Sequence, residues 1–307
     1  MRGMRTWFEG NVSQRLVGGL LMASVALGGM AQAQEKEKAK TGKGKEEAPA
    51  KPAKTKAVVP EDLVGNEHIR EEFGVNDFTT PSIRKIFDQL DALGTLPYDQ
   101  LKRPISDKAP SDRVLIALGL GVLIGDGFLV VQCEKIEEMD NVGRALLKYA
   151  KALGAGMRIN KHSQSLLENS IKGDWDTLRK ELASTQADVE AEMVLLRDAD
   201  VAHLISLGGW LRAFEISTQA VASNYSEEKS RNLGRADIVE YFLASLESLH
   251  PTVQEQPYIK DLHDGLAAML PLLDVPEGKA FTLPEVKDLQ EKAKLLSLVV
   301  QEHLPKK

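Results

Sequence analysis

The sequence predicts an all-α fold, an antiparallel helical bundle or a short stack of helical hairpins, and three observations carry that prediction. Apolar residues recur at helical spacing in one segment after another. Capping residues stand where those segments begin, and glycine or proline where they end. Almost no stretch shows the period of two that marks a half-buried strand.

Taken in order, a short helix is expected over 60–73. The next begins at Thr80, an N-cap type, with Pro81 at the first helical position. Ile83, Ile86, Phe87, Leu90 and Leu93 share its apolar face and Gly94 ends it. Pro97, Pro104 and Pro110 make 95–110 an extended connection. Further helices are expected over 112–134, 136–153 (ended by Gly154), 157–171 and 174–206. After Gly208-Gly209 come 209–224, 227–249 (capped by Ser226), 257–273 and 284–303. Thr282 and Glu285 give the last a capping-box pattern.

The run Val114–Val131 is long enough to cross a membrane. Asp126 stands inside it, and Ala117, Gly121 and Gly125 form a stripe of small residues that lets another helix approach closely. With no positive clustering at its ends, it reads as a buried core helix. Leu118-Gly119 followed by Gly143-Arg144-Ala145 resembles Leu207-Gly208 followed by Gly234-Arg235-Ala236. That pattern suggests a duplicated hairpin, with units near 111–200 and 201–290.

The N-terminal segment carries a different signal. Arg2, Arg5 and Arg15 precede an apolar run from Leu16 to Met30, which closes on Ala31-Gln32-Ala33. This is the layout of a cleavable signal peptide over 1–33. A Lys, Glu, Ala and Pro-rich stretch follows over 34–60, too polar to bury a core, and is expected to be a disordered basic linker. The helical domain then occupies 61–307. The chain therefore reads as exported, periplasmic or secreted, with no membrane span in the mature protein.

Charge and cysteine content narrow this further. The whole chain is −6; the signal segment contributes +2 and the linker +4, which leaves the domain at −12. So acidic a body argues against nucleic-acid binding. Its basic leash points to another envelope protein or an anionic envelope surface as partner. Cys133 is the only cysteine, so no intrachain disulfide can form, and its apolar setting suggests an inert thiol.

No reaction motif stands out, and no catalytic residue or cofactor is implied. The nearest approach to a metal site is a pair of acid-x-x-His steps, Asp200 with His203 and Glu247 with His250, each on one helix face. Di-metal bundles use that spacing twice, with further carboxylates for which Asp126 and Glu215 are candidates. Six histidines among 45 acids give such steps readily by chance. Asp126, Arg144 and Arg235 stand out as structural polar residues, because a buried acid needs a partner and the two arginines hold matching places in the repeat. The functional expectation is a non-enzymatic, exported module that binds another protein or acts as a scaffold. The alternatives are a bundle that binds a small ligand or metal, and an enzyme of unfamiliar type.

Overall fold

The computed structural model describes residues 93–305, apart from 107, 156–161, 163, 167, 170–171, 196–197 and 277. The expected signal segment, the linker and the helices expected before residue 93 lie outside the described residues. Among those residues there is no strand. The helices are α1 (Tyr98–Leu101), α2 (Arg113–Gln132), α3 (Ile136–Leu153), α4 (Trp175–Leu195) and α5 (Ala199–Ser223). Then come α6 (Glu227–Ser230), a 3₁₀ turn (Arg231–Leu233), α7 (Ala236–Ser248), α8 (Pro251–Gln254), α9 (Pro257–Leu273) and α10 (Leu283–Gln301). Described residues between 162 and 172 are also helical up to Lys172. The fold is an all-α bundle, as the periodicity predicts.

α2 is the axis of the bundle. Asp112 caps it, its carboxylate accepting from the N–H groups of Val114 at 2.8 Å and Leu115 at 3.2 Å. Every residue from Leu115 to Val131 is buried. The helix is apolar on all sides because it has neighbours on all sides: α3, α4, α5 and α10. It is long and apolar enough to cross a membrane, and here the rest of the domain covers it.

A tight turn at Glu134, with φ of +55°, sends the chain back along α2 as α3. α3 covers the expected 136–153, and left-handed Gly154 closes it by donating to the Lys151 carbonyl.

The second half departs from expectation in two places. Helices over 174–206 and 209–224 were expected, with Gly208-Gly209 as the break. Instead α4 ends at Leu195, Asp198 caps α5 through Val201 N, and α5 runs through both glycines. The reason is the crossing with α2. A Cβ on Gly208 would collide with the Leu118 carbonyl oxygen, and one on Gly121 with the Ile205 carbonyl oxygen. These glycines serve close helix packing rather than chain termination. The expected helix over 227–249 is also divided. α6 and the 3₁₀ turn precede α7, with Gly234 packed against Val275 and Phe281.

Contacts fix the helix directions. Arg113 pairs with Asp198 and Asp126 with Arg212, so α2 and α5 run the same way. Gly127 meets Val142 of α3 and Leu182 of α4, while Gly119 meets Tyr149 of α3 and Gln132 meets Arg179 of α4. Both helices are therefore antiparallel to α2. α10 opposes α5, with Gln290 bonded to Gln219 and Ser297 to the Leu211 carbonyl. The central pair, α2 and α5, is thus parallel, and α3, α4 and α10 run antiparallel to it. α10 opens with the expected capping box of Thr282 and Glu285.

Candidate ligand-binding cavity

Asp126 is the one charged residue between Arg113 and Glu134, and Arg212 is the one Lys or Arg between Asp198 and Lys229. The crossing of α2 with α5 brings them together. Arg212 is fully buried. Its Nε donates to Asp126 Oδ1 at 2.7 Å, its Nη1 to Glu215 Oε2 at 3.0 Å and its Nη2 to the Leu101 carbonyl at 2.5 Å. The last bond ties the α1 segment to the core. A guanidinium so deeply buried is stable only with this complement of acceptors.

A second arginine completes the cluster. Arg103, just past α1, sets Nη2 against the Glu215 carboxylate. Its Nη1 is buried and has no hydrogen-bond acceptor among the described residues. Burial, with the Arg212 charge beside it, pushes the Arg103 guanidinium down to about 9, so it still carries its charge at neutral pH.

Arg103 and Asp126 line a cavity of about 550 Å³. Its floor is Val122 and Leu123 of α2 with Tyr149 of α3. Its roof is Leu298 of α10 and the chain that follows, at Leu304 and Pro305. The segment 103–106 forms one side. Tyr149 is held against ionisation by burial, its hydroxyl pushed up to about 12. The cavity is thus mostly apolar, with a charged cluster at one end, and falls within the size range of small-ligand sites, about 300–1,000 Å³.

The residues singled out in sequence fare unevenly. Asp126 is buried, and its partner is Arg212, not Arg144 or Arg235. Arg144 lies on the exposed face of α3, paired with Asp140 at 2.5 Å and bonded to Asn141. Arg235 precedes α7 and pairs with Asp237 at 2.8 Å. The two arginines also occupy different local structure, one within a helix and one before its start, so their matching sequence context does not carry over into space. Asp126 and Glu215 do come together, around a guanidinium.

The acid-x-x-His steps do not converge. His203 is partly buried with Nδ1 at 2.7 Å from the Tyr241 hydroxyl, and desolvation lowers its pKa. Asp200 accepts from the backbone N–H of His250 at 3.1 Å. The His250 ring caps α8 through Thr252. Glu247 faces His263 at 3.5 Å. Among the described residues no group of three His, Cys, Asp or Glu side chains is placed to hold a metal ion.

No known protein family matches the chain, and neither do any of the curated proteins or solved structures compared with it. The site must therefore speak through its own chemistry.

Two groups escaped the sequence reading. Arg212 was detectable as the lone cation of an apolar helix, the counterpart of Asp126. Arg103 sits in a proline-rich connection that gives no periodic signal. A third cluster lies elsewhere: His162 bridges two carboxylates of α4, Glu181 at Nδ1 and Asp188 at Nε2, the latter at 2.8 Å. Cys133 is half-buried at the end of α2, and burial pushes its thiol up, away from the reactive range.

Proposed function

We propose that this chain is an exported, non-catalytic helical domain that binds a small amphiphilic molecule in the cavity beside Arg103 and Asp126. The observation that carries the reading is Arg103 Nη1, a buried donor without an acceptor, on a side chain that lines an apolar cavity. Native proteins leave few buried donors unsatisfied, and a bound acceptor would complete this one. Export rests on the basic and apolar segment ahead of Ala31-Gln32-Ala33, and the basic stretch 34–60 serves as reach toward an anionic envelope surface. Binding a partner protein has less support. The exposed large apolar side chains among the described residues, Ile136, Leu272 and Leu295, stand on three different helices.

Native mass spectrometry of the mature chain tests the reading. The probe is a mixture of eight-carbon amide, alcohol, acid and amine. The expected result is a one-to-one adduct, lost when Ser106, which lines the cavity, is replaced by Trp. An absence of any adduct contradicts ligand binding.

A further inference from the structure

The charges around the cavity say which class of molecule it takes, granted the ligand-binding reading above. Arg103 and Arg212 are balanced by Asp126 and Glu215, so the buried cluster is neutral as it stands. A ligand with a full negative charge would leave the cluster with one uncompensated anion. It would also face the carboxylates of Asp126 and Glu302, both of which line the cavity. A ligand with a full positive charge would meet Arg103 and the buried Arg212 behind it. A negative charge would leave water without a matching partner, and a positive one would find only Glu302, an exposed carboxylate that water screens.

What the site offers is a hydrogen-bond pair. Arg103 Nη1 lacks an acceptor and has almost no surface of its own open to the cavity, so a ligand reaches it as the guanidinium turns toward the bound head group. The Asp126 carboxylate lines the same cavity, and Oδ1 is the oxygen that receives Arg212. A head group that accepts from Arg103 and donates to Asp126 matches both. Beyond it, Val122, Leu123, Leu298 and Leu304 supply an apolar wall for a tail. We propose that the ligand is an uncharged amphiphile whose polar end carries both an acceptor and a donor, of which a primary amide on an alkyl chain is the simplest form.

Isothermal titration of the mature chain with octanamide, octanoate and octylamine at neutral pH tests this. Octanamide should bind, and the two charged analogues at least about tenfold more weakly. Arg103→Met should weaken octanamide by about tenfold or more, the expected loss of a hydrogen bond to a charged group. Ser106→Trp, on the connecting segment, should abolish binding by filling the cavity, and serves if Arg103→Met does not fold by circular dichroism. Octanoate or octylamine binding as tightly as octanamide overturns the proposal while sparing the cavity as a ligand site. Unchanged octanamide affinity in folded Arg103→Met, or in Ser106→Trp, also overturns it. If none of the three binds, the ligand-binding reading itself fails.

Discussion

Gly121 and Gly208 make a reciprocal contact at the centre of the bundle. Each lies against the carbonyl of the residue three positions before the other, Gly121 on Ile205 and Gly208 on Leu118. The two helices are therefore in register at a separation of 87 residues, both from 121 to 208 and from 118 to 205. This close approach sets Asp126 and Arg212 within hydrogen-bonding distance one to two turns further along. The charged end of the cavity depends on it.

Gly208→Ala should accordingly destabilise the domain by about 3 kcal/mol, the upper end for overpacking a tight core. The blocking atom is backbone and cannot swing aside. Gly143→Ala is the control, since nothing lies within 4 Å of its Cβ position inside α3. It should stabilise by about 0.5–1 kcal/mol through helix propensity. Urea unfolding of both variants checks the pair, and equal effects would remove the crossing from the account.

Arg212→Met should lower stability by about 3–5 kcal/mol, the range for breaking a buried ion pair. It removes the donor that Asp126, Glu215 and the Leu101 carbonyl share. The loss should be visible as a lower midpoint in urea with an unchanged slope. A change below about 1 kcal/mol, within the range of an exposed ion pair, would mean that the cluster contributes little.

The two partly buried histidines, His162 and His203, predict opposite limbs of a stability–pH curve. Burial pulls the His162 imidazolium down, but its hydrogen bonds to Asp188 and Glu181 outweigh this and raise its pKa above 6.5. Its contribution is fully present below 6.5 and is lost as pH rises through the raised folded value. His203 is shifted downward by burial. Its unfolded form binds a proton first, so stability falls as pH drops below 6.5 toward the lowered folded value. His162→Gln should flatten the alkaline limb and His203→Gln the acid limb in thermal melts between pH 5 and about 8. The reverse assignment would contradict the hydrogen-bond arrangement.

At the entry to α2, Asp112→Ala should cost about 1 kcal/mol, the usual loss for an N-cap. Asp112 also receives the Tyr258 hydroxyl of α9 at 3.1 Å. Tyr258→Phe in the Asp112→Ala background should therefore have a smaller effect than in the native chain, and a double-mutant cycle reads that coupling. Strict additivity would separate the cap from the α9 contact.

The helices that the sequence displays well are those bounded by local chemistry. Asp112, Gly154, Pro257 and Thr282 mark ends that depend on a few neighbouring atoms, and each stands at or within one residue of the boundary expected from it. Gly208-Gly209 misled because the same residue type both terminates helices and permits close crossings, and the deciding neighbour, Leu118, is 90 residues away from Gly208. The Leu-Gly pairs at 118 and 207 did mark the crossing, but at a separation of 89 residues instead of the 87 that the contact uses. Asp126 announced its need of a partner. Which cation answered depended on helix direction, and Arg212 is reached only because α2 and α5 run parallel. Arg103 had no legible role, since its burial comes from the fold of a connecting segment over the bundle end.

The most direct test is a crystal structure of the protein with octanamide. The account predicts the amide in the cavity between α2 and the chain after α10, its carbonyl oxygen about 2.9 Å from Arg103 Nη1. Its alkyl chain should lie along Val122, Leu123 and Leu298. A cavity filled by its own side chains, with Arg103 turned into solvent and no amide bound there, would contradict it.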